Sequence, residues 1–212
     1  MAVVELSSPV VLVIMGVSGA GKSTIAALLA ERLGWTFEEG DALHPAANVE
    51  KMAAGVPLTD DDRWPWLAKI ADWIDGRLDT GENGIITCSA LKRSYRNVLN
   101  RRGSGVEFVY LALDRADLEE RVEHREGHFM PAALLDSQLD TLEPPTTTEP
   151  AIQVDAGPDS RLVVDRILRD LDLTPKALPP VKSTTKPAKK PAAAPKSTRK
   201  RPPASPRQPG HT

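Results

Sequence analysis

Short apolar runs alternate with helix-period stripes along the first 171 positions. Val10-Val11-Leu12-Val13-Ile14 is continuously apolar and mostly β-branched. Such a run predicts a strand buried on both faces, as found inside a parallel sheet. A glycine-rich turn follows, then a helix from about Lys22 to Leu33 with Ile25, Leu28, Leu29 and Leu33 on one stripe. Gly34 ends that helix. Trp35 to Glu39 predicts a second strand, closing at Gly40-Asp41. Short and long helices are expected over Pro45 to Ala54 and Trp66 to Leu78, then a third strand at Ile85-Ile86-Thr87-Cys88. A helix over Leu91 to Arg101 precedes a fourth strand from Val106 to Leu113. Asp114 is placed to cap the next helix, whose pattern breaks near Arg125 to Pro131 and resumes through Asp140. Ile152 to Asp155 is the fifth strand and Ser160 to Leu171 the last helix. The alternation predicts an α/β fold of three layers around a mostly parallel, five-stranded sheet.

Composition divides the chain in two. The formal net charge of -2 is the sum of unlike parts. From Leu173 to Thr212 there is no acidic residue, and ten basic residues and ten of the 19 prolines lie there. Residues 1–172 carry all 29 acids against 17 bases, a net of -12. The expected organisation is a folded domain over residues 1–172 and a disordered basic tail over 173–212. Without aromatic residues for base stacking, the tail would bind nucleic acid only non-specifically, through charge. Cys88 is the only cysteine, which excludes a disulfide framework and suits a reducing, cytoplasmic setting. No apolar run approaches the ~20 residues of a spanning helix, and no signal peptide is readable, so no membrane partner is expected.

Gly16-Val17-Ser18-Gly19-Ala20-Gly21-Lys22-Ser23 matches G-x-x-x-x-G-K-[ST], between a buried strand and an amphipathic helix. Glycines let successive backbone N–H groups turn inward on a phosphate, and the helix N-terminus adds partial positive charge. Lys22 is expected at the β- and γ-phosphates of ATP, the Ser23 hydroxyl at Mg²⁺, and Thr24 next along the same nucleotide site. A phosphate loop alone does not name the reaction. A body of this size favours a kinase of small molecules or nucleotides over a motor.

Asp41 follows the second strand, and ligands of open α/β sheets sit beyond the carboxyl ends of the strands. It reads either as the group that orients an attacking hydroxyl and takes its proton, or as a helix cap or an outer contact of Mg²⁺. Asn48 and Lys51 share a helix face. Arg63, beside Asp60-Asp61-Asp62, reads either as a surface ion pair or as a clamp for a substrate carboxylate. Trp66 and Leu67 read as core.

The block from Gly40 to Leu67, with Gly40-Asp41-Ala42-Leu43-His44-Pro45 at its start and Asp60-Asp61-Asp62-Arg63-Trp64-Pro65-Trp66-Leu67 at its end, resembles the gluconate kinase (gluconokinase) family of P-loop small-molecule kinases. The resemblance continues at Cys88 to Arg96, at His128-Phe129-Met130-Pro131 and at Thr141 to Pro145, and spans about residues 10 to 171. It implies a P-loop kinase fold with a helical lid, and phosphorylation of D-gluconate by ATP to 6-phosphogluconate. By the same resemblance Asp41 would hold the accepting hydroxyl and Arg63 would grip the sugar acid. His44, Lys51, Lys92 and Arg93 become candidates for its hydroxyls and carboxylate, and a homodimer is implied. One departure is visible: the third strand runs into Cys88-Ser89, so the carboxylate that many phosphate-loop enzymes place there is missing.

Arg121 and Arg125 lie one helical turn apart. They read as lid arginines that neutralise the moving phosphoryl group, or as members of ion pairs with Glu119, Glu120, Glu123 and Glu126. The resemblance favours the lid. His128 reads as structural or as a hydroxyl contact, not as a base. Arg161, after the fifth strand, is a candidate at the adenine. The alternatives are another small-acid or nucleotide kinase of the same fold, or a non-catalytic nucleotide-binding adaptor acting through the tail.

Overall fold

The computed structural model describes residues 8–123 and 132–176. Arg125, His128 and most of the basic tail fall outside them. Five strands, β1 (Val11–Met15), β2 (Thr36–Glu38), β3 (Gly84–Thr87), β4 (Val106–Ala112) and β5 (Ala151–Asp155), form one sheet in the order β2-β3-β1-β4-β5. Every pairing is parallel. The helices are α1 (Lys22–Leu33), α2 (Ala46–Ala53), α3 (Asp60–Asp79), α4 (Arg93–Leu99), α5 (Arg115–Glu123), α6 (Ala132–Thr141) and α7 (Ser160–Asp170).

The unbroken apolar run of β1 is explained by its central place. Leu12 and Ile14 point into one core, with Ile25, Leu29, Val164 and Ile167 of α1 and α7. Val11, Val13 and Met15 point into the other, with Trp66, Leu67, Ile70 and Ile74 of α3. Both faces are therefore dry, and alternation within the strand carries no polar residue.

The largest difference from the sequence pattern is the start of α3, six residues earlier than Trp66. Thr59 and Asp62 form a capping box: the Thr59 hydroxyl accepts from the Asp62 N–H, and the Asp62 carboxylate accepts from the Thr59 N–H at 2.9 Å. Three aspartates in the first turn suit the positive end of the helix. Pro65 forgoes one backbone bond near the start, where the helix tolerates it better than at its centre. The packed body also runs beyond residue 172. Leu173 is buried, and the Lys176 N–H donates to the Arg32 carbonyl at the end of α1 at 2.8 Å.

Candidate active site

The site lies at the carboxyl end of β1, where the chain turns into α1. Gly21 takes φ 89° just before the helix, a left-handed conformation that is costly for a residue with a Cβ. The Lys22 ammonium folds back to donate to the Val17 carbonyl at 3.0 Å. The Gly16 N–H donates to the Ser89 carbonyl, which ties the loop to the exit of β3. From α6, Gln138 reaches the same loop: its Oε1 accepts from the Ser18 N–H at 2.7 Å, and its Nε2 lies 3.4 Å from the Ser18 hydroxyl.

Asp41 is set by a fixed turn. Gly40 is buried, its N–H donates to the Thr87 hydroxyl at 3.0 Å, and its carbonyl accepts from the Trp66 indole at 2.7 Å. Thr87 in turn donates to the Glu39 carboxylate. A Cβ on Gly40 would overlap the Thr87 carbonyl oxygen, so only glycine fits this crossing. The turn over Gly40–Leu43 then presents Asp41 to a cleft of about 170 Å³. Ser18, Gly19, Gly21, Lys22, Ser23, Thr24, Asp41 and Arg121 line it. Arg121 donates to the carbonyls of Ala156 (2.7 Å) and Gly157 (3.1 Å), joining α5 to the loop after β5. Its guanidinium also lies beside Gly21.

Next to this cleft is an aromatic and cationic cluster. The His44 ring stacks on Trp66 with centroids 4.0 Å apart, and Trp64 meets Tyr95 edge-on at 5.3 Å. The Arg63 guanidinium lies 5.8 Å from the Tyr95 ring centre. Only 9% of Arg63 is exposed, yet its side chain makes no hydrogen bond or ion pair among the described residues. Burial holds His44 down at about 4; Asp41 opposes this, while Arg63 and Lys69 add to it. Cys88 is wholly buried below the cleft, and desolvation pushes its thiol up to about 12.

A family model described as an AAA domain matches residues 11–145. The gluconokinase of Gluconobacter oxydans is 53% identical over 161 residues, covering 76% of this chain and 90% of its own. The chain belongs to the gluconokinase family. Among solved structures, a gluconokinase from Sinorhizobium meliloti is 47% identical with a TM-score of 0.70, covering 77% of this chain and 92% of its own. An unliganded sugar kinase from Janibacter is 46% identical with a TM-score of 0.73, covering 78% and 95%.

In this gluconokinase-family chain the sequence-derived candidates fall into three groups. Ser18, Gly19, Gly21, Lys22, Ser23, Thr24, Asp41 and Arg121 share the cleft, with Gly16, Val17 and Ala20 forming the buried inner side of the loop. His44 and Arg63 share the second cluster. The remaining cations are engaged elsewhere. Lys51 pairs with Asp62 at 2.6 Å and Lys92 with Asp60 at 2.8 Å. Arg93 is exposed and donates to Thr148 at 3.3 Å. Arg161 is exposed at the start of α7 and does not line the cleft, and its N–H donates to the capping Asp159. The Lys51 and Thr59 contacts hold Asp62 down at about 2. A larger hollow of about 410 Å³ lies far along the chain from the loop, between α4 and the approach to β5. Its Arg101 and Arg102 are committed to Asp72, Asp75 and Asp79.

Two residues that brace the surroundings of the cleft, Gln138 and Arg96, were given no role by the sequence. Gln138 meets Ser18 across 120 positions. Arg96, 2% exposed, pairs with Glu149 at 2.5 Å and donates to the carbonyls of Ala90, Leu91 and Glu143. It thereby clamps the turn after β3, where Ala90 holds an unusual φ of 44°. The Cys88 to Arg96 stretch carries the family resemblance, but nothing local marks Arg96 as its hub.

Proposed function

We propose that this protein transfers the γ-phosphoryl group of ATP to the 6-hydroxyl of D-gluconate, giving 6-phospho-D-gluconate and ADP. The observation that carries it is the shared cleft, in which a phosphate loop, a carboxylate on a fixed turn and a guanidinium converge, in a chain of the gluconokinase family. Loop N–H groups and Lys22 hold the phosphates. Asp41 orients the 6-hydroxyl and accepts its proton as the oxygen attacks γ-phosphorus and the bond to the β-phosphate oxygen breaks. Arg121, and Arg125 four residues further along the sequence, neutralise charge on the moving group.

The carboxylate of gluconate is assigned to Arg63. A largely buried arginine whose guanidinium has no carboxylate partner among the described residues and is not sealed from solvent is an incomplete ion pair, and an anionic substrate completes it. Lys51 and Lys92 already have acidic partners. Arg93, with His44, faces the sugar's hydroxyls in this reading, and His128 joins them. Arg161 borders the adenine. No cluster of three or more acidic, histidine or cysteine ligands exists among the described residues, and β3 ends in Thr87. Ser23, exposed at the cleft, therefore suits an ion held mostly by nucleotide and water, with Asp41 in the outer shell. Bound there, Mg²⁺ would supply charge neutralisation at the β- and γ-phosphates.

No described helix is long and apolar enough to cross a membrane. A buried, reduced Cys88 fits a cytoplasmic setting. The test is turnover by the full chain with ATP and Mg²⁺ across sugar acids and nucleoside monophosphates. Gluconate should be the preferred acceptor, and Lys22→Ala should lower turnover by about 10²–10³-fold. Phosphorylation of a nucleotide but not of gluconate would reject the assignment.

A further inference from the structure

We propose that Asn48 fixes His44 in the form protonated on Nε2 and thereby makes it a hydrogen-bond donor to a hydroxyl of the acceptor, so that Asn48 is a positioning residue of this site. The inference rests on the reading that the sugar acid binds beside Asp41 and Arg63.

Asn48 is 4% exposed on α2. Its Nδ2 lies 2.8 Å from the Asp62 carbonyl oxygen. A carbonyl only accepts, so the amide nitrogen, not the amide oxygen, must face it. The same nitrogen lies 3.3 Å from His44 Nδ1, which receives the second amide hydrogen. Nδ1 must therefore present its lone pair, and in a neutral imidazole the proton then sits on Nε2.

The ring plane is fixed as well. His44 stacks on Trp66 at an interplanar angle of 14°, and Trp66 is held by its bond to the Gly40 carbonyl. Nε2 has no partner among the described residues and is not sealed from solvent. One ring nitrogen is thus committed inward while the other is open.

Burial keeps the ring neutral, against the pull of Asp41 and with the help of Arg63 and Lys69. Asp41 acts on it from the turn after β2, and Arg63 and Lys69 act from α3. Burial is the largest influence, with a resulting value of about 4. Arg63 thus carries the positive charge for an anionic acceptor, while His44 adds a directional, uncharged donor. That division suits a polyol acid, which has one anionic end and several neutral hydroxyls. It also keeps the donor unchanged across the pH range from 5 to 8.

The experiment is side-chain ¹⁵N–¹H correlation spectroscopy of the full chain, with the His44 signals assigned by their loss in His44→Gln. The expected wild-type pattern is a proton on Nε2 and none on Nδ1, unchanged from about pH 8 to about pH 5. A proton on Nδ1 would overturn the lock whatever the substrate, and needs no variant to fold. In Asn48→Leu the two tautomers should mix and KM for gluconate should rise about twofold, the share of rings that lose the donor, with KM for ATP unchanged. In Asn48→Asp a carboxylate faces Nδ1, so the ring should take up a proton and KM for gluconate should become pH-dependent between about 5 and 8. Mixed tautomers with an unchanged KM would overturn the donor role. Wild-type protein with the Nε2 proton but no gluconate turnover would leave the lock standing and reject the acceptor reading instead.

Discussion

The Trp66 indole N–H donates to the Gly40 carbonyl at 2.7 Å, and this bond connects the core to the turn that presents Asp41. Trp66 is 1% exposed in the α3 face of the sheet, while the residue after Gly40 is Asp41. The position of Asp41 is therefore inherited from packing on the far side of its own backbone. Gly40→Ala should test this most directly, because the added methyl overlaps the Thr87 carbonyl oxygen. The expected cost is about 1–3 kcal/mol of stability from overpacking. A loss in kcat of about 10²-fold should accompany it, the effect of displacing a reacting group by about 1 Å. Denaturant melts and steady-state kinetics measured together would separate the two. A normal kcat in a folded variant would detach Asp41 from this turn.

Asp41→Asn keeps the shape of the side chain and removes its basicity. If the carboxylate takes the proton of the 6-hydroxyl, kcat should fall by about 10²-fold or more, with a much smaller rise in KM for gluconate. If the residue only helps to hold the acceptor, KM should carry the change. Steady-state kinetics at saturating ATP decide between these outcomes.

Gln138 touches the phosphate loop through Ser18, so a charge placed there should be felt by the nucleotide. Gln138→Glu retains an acceptor for the Ser18 N–H but sets a negative charge beside the phosphates. KM for ATP should rise about tenfold. Gln138→Ala should raise it less, because it removes the contact without adding repulsion. Equal effects in the two variants would rule out a charge mechanism.

Glu149→Gln would leave the Arg96 guanidinium, 1% exposed, without its counter-charge. Breaking a buried pair from one side costs about 3–5 kcal/mol, and the retained amide should keep the loss near the lower figure. For a body of this size that is a fall in Tm of about 10 °C. The Arg96 hydrogen bond holds the Glu149 carboxyl below its ordinary value of 4.5. A depressed acid contributes stability that is fully present above the ordinary value and is lost as pH falls through the native one. The gap between wild type and variant should thus be constant near neutrality and close below about pH 4.5. Thermal melts from pH 7 to pH 3 would show it. A gap independent of pH would mean that the charge contributes nothing.

The readable parts of the sequence were those whose physics is local. The phosphate loop is contiguous, and its flanking strand and helix have their own periods. Asp41 was legible because a residue following a strand of a parallel sheet has only one end of the sheet to occupy. Cross-element pairing was not legible. Lys51 and Lys92 look like unspent cations until α3 brings Asp62 and Asp60 against them, 11 and 32 positions away. Arg63 presents the reverse case: it sits among aspartates in sequence but ion-pairs with none of them among the described residues. The early start of α3 was hidden by Pro57 and Pro65, which flank a capping box formed by side chains rather than by apolar spacing.

Cys88 turns the sheet into its own reporter. It is the only thiol in the chain, and it lies fully buried directly after β3, within the electrostatic reach of Lys22, Asp41 and Arg63. A thiol reagent can reach it only when the strand ends beneath the cleft separate. Labelling at that one sulfur therefore counts openings of the floor of the cleft, without a probe having to be engineered in. Ligands that bind the closed form should slow it in proportion to their occupancy.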